Sequence, residues 1–334
     1  MGLSRMGRLA ALTTAVIFIL AGCGGAATTG TVPLAAMTQG RAHKASGKSW
    51  MLPEAKNEDL LYVANYFAAV NVYNFRTLAL VGTLSVYYPG GECTDESGNV
   101  FITSVKGSSI VEYAHGGTTP IATLTDSSFY PDDCFIDTAS GNLCVANLDG
   151  GVGGSSGNLS IYRHAEAPPQ SYVDANPYDD EYFACTYDGD GNAFVDVSGP
   201  DGHLVFDELP VGAKKLKRIW LGHNHHRSSD LDWDGRFLTN GDAANTVYRF
   251  SVGVDRKRVY YDGRTMLRAV GSGVATTRVV PYAGALEMVG TVSGNAVQIW
   301  RYPSGWSLRY ITSGLDSPDG VAVSLAPTHS RIHK

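Results

Sequence analysis

The sequence predicts an all-β fold, a six-bladed β-propeller closed by pairing of its amino- and carboxyl-terminal strands, and three observations predict it. A phrase recurs: PGGECTDESGNVFITS at 89–104, PDDCFIDTASGNLCVAN at 131–147 and CTYDGDGNAFVDV at 185–197 each set an apolar strand, an acidic Gly-Asn turn and a second apolar strand in that order. An aromatic residue closes a further apolar strand at Tyr73, Tyr113, Tyr162, Phe206, Phe250 and Trp300, at intervals of 40, 49, 44, 44 and 50 residues. Such intervals suit a blade of four short strands with loops of varying length. The termini are offset: the first unit opens directly at LLYVAN (60–65), whereas the chain ends in SPDGVAVS (317–324), the strand that the first unit lacks.

At the amino terminus Arg5 and Arg8 precede an apolar run from Leu9 to Leu20, followed at once by small residues and Cys23. This is the pattern of an export signal, and the run is shorter than the roughly 20 residues that cross a bilayer. The string Leu20-Ala21-Gly22-Cys23 resembles the lipobox of bacterial lipoproteins. That resemblance implies a signal peptide over 1–23, acylation of Cys23 with palmitate-type chains, and a body held by lipid on the extracytoplasmic side of a membrane. Gly24 after the cysteine, by the same analogy, favours an outer membrane or cell surface where the source has two membranes.

Residues 24–57, rich in Gly, Ala, Thr, Ser and Lys, read as a flexible tether. The propeller is expected over 58–326, followed by a tail at 327–334. The chain holds 26 basic and 32 acidic residues. Arg5, Arg8, Arg41, Lys44, Lys48 and Lys56 are basic residues ahead of Glu58, and Glu54 is acidic, which leaves 20 basic against 31 acidic residues, a net −11, from Glu58 onward. An acidic body repels phosphate backbones, which excludes nucleic acid as a partner class.

Within the body each closing strand is preceded by another apolar segment, LLYVAN, NVFITS, NLCVAN, NAFVDV, RFLTN or LEMVGT, bounded by Gly, Asn, Asp and Ser. β-Branched and aromatic composition between such turns reads as strand. No segment carries a sustained 3.6-residue apolar stripe between helix caps, so helices are few. Four-stranded sheets repeated around an axis hide their edges blade against blade. Pro131, Asp137, Gly141, Asn142, Val145, Ala146 and Asn147, echoed by Pro89, Asp95, Gly98 and Asn99 and by Asp188, Gly191 and Asn192, resemble the NHL-type repeat of six-bladed propellers, including virginiamycin B lyase-like and gluconolactonase-like proteins. The whole chain, with SWMLPEAK at 49–56, also resembles an uncharacterised family of bacterial exported lipoproteins. The resemblance implies the fold and says little of chemistry. Gly98, Gly141 and Gly191 suit a left-handed turn, and Asp95, Asp137 and Asp188 suit its caps.

A site is therefore sought in loops that share one propeller face. Those leading into the innermost strands bring Glu92, Asp132, Asp133, Asp179, Asp180, Glu181, His223, His225, His226, Asp230 and Asp319 to one rim of the channel. An acidic, histidine-bearing mouth suits a ligand. In one reading it belongs to a binding or scaffold module for a carbohydrate, a peptide or an envelope protein, with Tyr66, Phe67, Tyr130, Tyr178, Tyr182 and Trp233 offering stacking surfaces. In the other, His225, His226 and Asp230 hold a divalent cation that serves a lactonase, esterase or lyase. The Glu, Asn and Asp ligand set of gluconolactonase-like proteins has no placed counterpart here, nor has the lyase-like His and Glu pair.

The body has no Walker loop or His-Glu-x-x-His, and GGSSG at 153–157, which has the Gly-x-Ser-x-Gly spacing, lies in a glycine-rich run that opens no helix and so makes no nucleophile elbow. Cys93, Cys134, Cys144 and Cys185 remain after Cys23. In an exported chain they form two disulfides in one of three connectivities, or are buried as small apolar fillers.

Overall fold

The structure, a computed structural model, describes residues 47–126, 130–149, 156–174, 181–198, 204–221, 230–242 and 244–327. Cys23 and the export signal lie outside the described residues, as do Asp179, Asp180, His225 and His226.

The described chain is all-β and propeller-like. Antiparallel meanders follow one another, each running outward from an innermost strand. One sheet comprises Pro89–Thr94, Val100–Ser104, Ser109–Tyr113 and Pro120–Thr125. The next comprises Pro131–Ile136, Leu143–Asp149, Ser156–Tyr162 and Gln170–Tyr172, and a third Val274–Tyr282, Ala285–Val292, Ala296–Tyr302 and Trp306–Ile311. The remaining meanders differ from the expected pattern of separate four-stranded blades. Tyr182–Tyr187, Ala193–Ser198, Leu204–Leu209 and Lys217–Leu221 join Asp232–Trp233, Leu238–Gly241, Thr246–Val252 and Arg258–Met266 in one eight-stranded sheet. The junction is parallel and short, Trp220 against Arg258 and Leu221 against Val259. It forms because Arg258–Met266 is a nine-residue outer strand whose start reaches the neighbouring edge.

Closure follows the offset termini. Pro318–Ser324 pairs antiparallel with Leu60–Asn65, Leu61 opposite Val323 and Val63 opposite Val321, and so becomes the innermost strand of the first sheet. The segment 50–57, expected as tether, is instead built onto that sheet. Trp50–Met51 pairs with Leu80–Leu84 as a fifth, outermost strand, and the 3-10 turn Pro53–Asn57 buries Ala55. The seam is also held by side chains. His115 Nδ1 lies 2.6 Å from Ser324 Oγ, His115 Nε2 lies 3.0 Å from the Glu58 carbonyl, and Ser324 Oγ lies 2.6 Å from the Gly98 carbonyl. Ser324→Ala removes the hub of this cluster and is expected to lower stability by about 1–2 kcal/mol, seen as a lower urea midpoint at unchanged slope.

The strands read as continuous apolar runs because both of their faces are buried. Leu60, Tyr62 and Ala64 pack with Val100 and Ile102 of the following sheet, whereas the alternate residues Leu61 and Val63 pack with Val289 and Ile299 of the preceding one. The same two-sided packing recurs at each seam around the ring. Tyr73, Tyr113, Tyr162, Phe206, Phe250 and Trp300 are all buried in these seams. The repeated turns are as their residues require: Gly98, Gly141 and Gly191 have φ of 81°, 72° and 80°, which a Cβ would strain. Asp95 accepts from the Ser97 and Asn99 amides, Asp137 from Ala139 and Ser140, and Asp188 from Asp190 and Asn192.

Both disulfides form, so the cysteines are not simple apolar fillers. Cys93 bonds Cys134 with Cα atoms 5.7 Å apart, and Cys144 bonds Cys185 at 6.4 Å. The first ties two innermost strands together. The second ties a second strand to the next innermost one, so covalent links run through three successive meanders.

Candidate functional site

The innermost strands surround a channel, and their acidic residues line its wall. Glu92 stands on Pro89–Thr94, Asp132 and Asp133 on Pro131–Ile136, and Asp319 on Pro318–Ser324; Asp230 immediately precedes Asp232–Trp233. These residues were expected on exposed rim loops. They sit instead on or beside the strands, where Glu92, Asp133 and Asp230 are buried. Asp232, two residues beyond Asp230 and thus on the same side of the extended chain, and Asp196, reaching in from a second strand, add two further buried carboxylates.

Among the described residues one buried cation, Arg278, answers this wall. Arg278 on Val274–Tyr282 is 6 % exposed and donates through Nη2 to Asp133 Oδ1, with Nη1 3.8 Å from Asp230 Oδ1. Burial alone would lower the Arg278 pKa, but Asp133, Asp232 and Asp230 outweigh it and raise it. Asp230 accepts from the Thr277 amide at 3.1 Å, from the Gly241 amide at 3.2 Å and from the Thr277 hydroxyl. Both of its oxygens thus already have protein donors. Asp232 accepts from the Val279 amide at 2.5 Å and from its neighbour Trp233 at 2.9 Å. Asp196 accepts from the Ala184 amide at 2.6 Å through one oxygen only.

Desolvation dominates the titration of this wall. It lifts Asp230 to about 6 despite Arg278 and Thr277, and Asp232 to about 7 despite Arg278 and the Val279 amide. Asp319 is raised to about 6 by burial and by Asp133. Asp132 stands well above the usual carboxylate range through burial, then Asp319, Asp133 and Glu181. Glu92 is the extreme case. It is 0 % exposed, and although Arg278 and the Ala64 amide lie near enough to favour its charged form, neither carboxylate oxygen accepts a well-formed hydrogen bond.

The channel has two chemically different mouths. At the strand-start end, Tyr66, Phe67, Tyr87 and Tyr88 form an edge-to-face cluster with ring centroids 4.8–5.4 Å apart for the pairs Tyr66–Phe67, Tyr66–Tyr88 and Tyr87–Tyr88. Phe67 and Tyr87 are 60 % and 64 % exposed, and the Lys106 ammonium lies 4.1 Å from the Tyr88 ring centre. Burial, with Asp319 and Asp132, raises the Tyr66 pKa against Lys106, which shows how closely the cluster adjoins the acidic wall. The other mouth, beside the Asp95–Gly98 turn, is a cavity of about 880 Å³ with Glu92, Asp232 and Arg278 among its lining.

The expected site residues divide accordingly. The structure gathers Glu92, Asp132, Asp133, Asp230 and Asp319 around one channel. Among the described residues, no group of three or more His, Cys, Asp or Glu is arranged to hold a metal ion. Of the proposed stacking residues, Tyr66 and Phe67 are at the mouth. Tyr182 is buried with its hydroxyl accepting from the Asp174 amide at 2.8 Å, and Trp233 packs into a seam. Sequence reasoning missed Arg278, Asp232, Asp196, Tyr87 and Tyr88. A lone arginine inside the apolar strand TTRVVPY, and the i, i+2 spacing of Asp230 and Asp232, were signals that could have found two of them.

No family model matches the sequence, and no curated protein matches it. Among solved structures 1387 chains match, so the fold is widely shared and cannot by itself name an activity. One is a chain of the crystal structure of a nidogen/laminin complex, with a TM-score of 0.56 and 11 % identity, covering 80 % of this chain and 99 % of that one.

Proposed function

We propose that this chain is a six-bladed propeller that acts as a binding module, exported and lipid-anchored through Cys23, and that it holds a protein or peptide of the cell envelope at its aromatic mouth. The observation that carries the reading is the Tyr66–Phe67–Tyr87–Tyr88 cluster, which leaves two large rings open to solvent beside an acidic wall. Exposed aromatics on a rigid frame supply contact area at low entropic cost, and such residues dominate interface energetics. The blade count rests on treating the eight-stranded sheet as two meanders joined at a two-residue junction. The structural neighbour from a nidogen/laminin complex supports a protein partner, since that propeller-like chain was crystallised in a protein complex. A metal-dependent hydrolase or lyase would need His225 and His226, and no observation among the described residues favours it.

The test is selection of displayed peptides and of envelope polysaccharide fragments on the soluble body, repeated with Phe67→Ala/Tyr87→Ala. Ligands selected by the wild type are expected to lose at least about 2 kcal/mol on the double variant, measured by calorimetry at unchanged melting temperature. Equal binding by the variant overturns the reading. Selection of polysaccharide alone replaces the protein partner with a carbohydrate.

A further inference from the structure

The net charge of the body hides a segregation. Residues 58–213 hold 3 basic and 22 acidic residues, whereas residues 214–309 hold 15 basic and 7 acidic ones. The ring thus has an acidic arc and a basic arc, and asymmetry of this kind points to a charged partner. Part of the basic excess is used internally. Arg278 is buried in the channel wall, and Arg218, Arg256 and Arg309 are paired with carboxylates. Arg264, Arg268 and Arg301 are exposed and form no ion pair among the described residues. Glu287, opposite Arg301 on the neighbouring strand, is already paired with Arg309 at 2.6 Å.

These three arginines gather where the outer strand Arg258–Met266 ends against the hairpin that leads into Trp306–Ile311. The Arg268 amide donates to the Gly305 carbonyl at 3.0 Å, the Thr265 hydroxyl donates to the Pro303 carbonyl at 2.9 Å, and Gly305 sits so near the Met266 carbonyl that a Cβ would not fit. Arg264 lies two residues before Met266 and so on the same side of the strand. Trp306 stands opposite Arg301, and the Arg268 guanidinium lies 3.2 Å from the centre of a Trp306 ring, a cation–π contact. Met266, Trp306 and Leu308 are 55 %, 53 % and 39 % exposed. Large apolar side chains therefore interleave with unpaired cations on a hydrogen-bonded outer edge of the ring.

We infer that this edge docks on the surface of an anionic bilayer. Such a surface attracts each basic residue brought close to it, and tryptophan settles at the level of its headgroups. Its acyl boundary receives side chains such as Met266 and Leu308, to which a water-soluble polyanion offers no apolar medium. The acidic meanders across the ring do not cancel the attraction, because charges are screened over about 8 Å at physiological salt. They orient the molecule, turning the basic edge toward the membrane. The inference rests neither on the aromatic mouth nor on acylation of Cys23.

The test uses residues 47–334, which keep every described strand and lack Cys23, so that no acyl chain contributes. Co-sedimentation with phosphatidylcholine vesicles containing phosphatidylglycerol is compared with phosphatidylcholine alone. Partition is expected to be about 100-fold stronger onto the anionic vesicles, three charges each contributing about a factor of five, and to weaken as salt rises. Arg264→Gln/Arg268→Gln/Arg301→Gln is expected to erase that preference, and Trp306→Ala to lower anionic partition about ten-fold, with thermal melts confirming both folds. Arg76→Gln/Arg163→Gln, exposed cations of the acidic arc, and Phe67→Ala/Tyr87→Ala, at the aromatic mouth, are expected to leave it unchanged. Equal partition onto both vesicles, or none onto either, overturns the inference whether or not the variants fold. A folded triple variant that keeps the preference overturns it too, as does equal loss in Arg76→Gln/Arg163→Gln, which would mark diffuse attraction. Self-association that the triple variant abolishes, without vesicle binding, replaces the bilayer with a second copy of the chain. Binding to dextran sulfate as strong as to anionic vesicles, and undiminished in Trp306→Ala, replaces it with a soluble polyanion. Because mouth and edge are probed by separate variants, failure here leaves the aromatic-mouth reading standing, and the converse holds.

Discussion

Arg278→Met is expected to destabilise the protein by about 3–5 kcal/mol at pH 8, the usual penalty for deleting one partner of a buried ionic cluster. The reason is local. Asp133, Asp230 and Asp232 share this one guanidinium, and without it their charges face one another across a channel wall that holds no other described cation. The penalty should shrink as pH falls. Asp230 and Asp232 have folded-state pKa values raised to about 6 and about 7, above their unfolded values, chiefly by burial. Groups of this kind contribute stability that is complete below the unfolded pKa and is lost as pH rises through the folded one. The wild type should therefore grow less stable from roughly pH 4 to pH 8. Removal of Arg278 raises both carboxyls further, so the gap between variant and wild type should widen over the same range. Urea denaturation at pH 5 and pH 8 checks this. A gap that is constant with pH would mean that the arginine acts through packing and not through charge.

The second large effect is expected at the disulfides. Each closes a sequence separation of 41 residues. For a loop of that length the chain-entropy relation gives about 4 kcal/mol, within the roughly 2–5 kcal/mol seen when native bridges are removed from small domains. Cys93→Ala/Cys134→Ala and Cys144→Ala/Cys185→Ala should each lower the urea midpoint, and the two pairs together should lose less than the sum, because both constrain the meander that contains Cys134 and Cys144. The loss should also be uneven. Hydrogen exchange should quicken over about 93–185, which the bridges span, more than over Val274–Tyr302, which neither bridge reaches. Uniform acceleration would show that the ring opens as one unit.

Much of this architecture was legible because β-structure writes its own periodicity. A strand buried on both faces has no polar alternation, so LLYVAN and NLCVAN read as apolar runs, and the Gly-Asn turns between strands need φ values that few residues reach without strain. The offset termini were legible for the same reason, since a closed ring leaves no unpaired first strand. The segment 50–57 was misread because two paired residues and a short 3-10 turn carry too little pattern to distinguish from a linker. The eight-stranded sheet was not legible at all, because the Trp220–Arg258 junction depends on how far two outer edges reach in space.

The sequence by itself determined the repeated meander, its turn geometry, the buried aromatic of each unit and the strand that closes the ring, because each is fixed by local backbone preference and by side-chain alternation. Only the tertiary structure decided which cysteines pair, and that Glu92, Asp133, Asp230 and Asp319 line a wall rather than a rim. It alone placed Arg278 among three carboxylates and buried Glu92 completely beside them. These are relations between residues as distant in the chain as Glu92 and Asp319, and they come into being when the ring closes and its innermost strands are brought to a common axis.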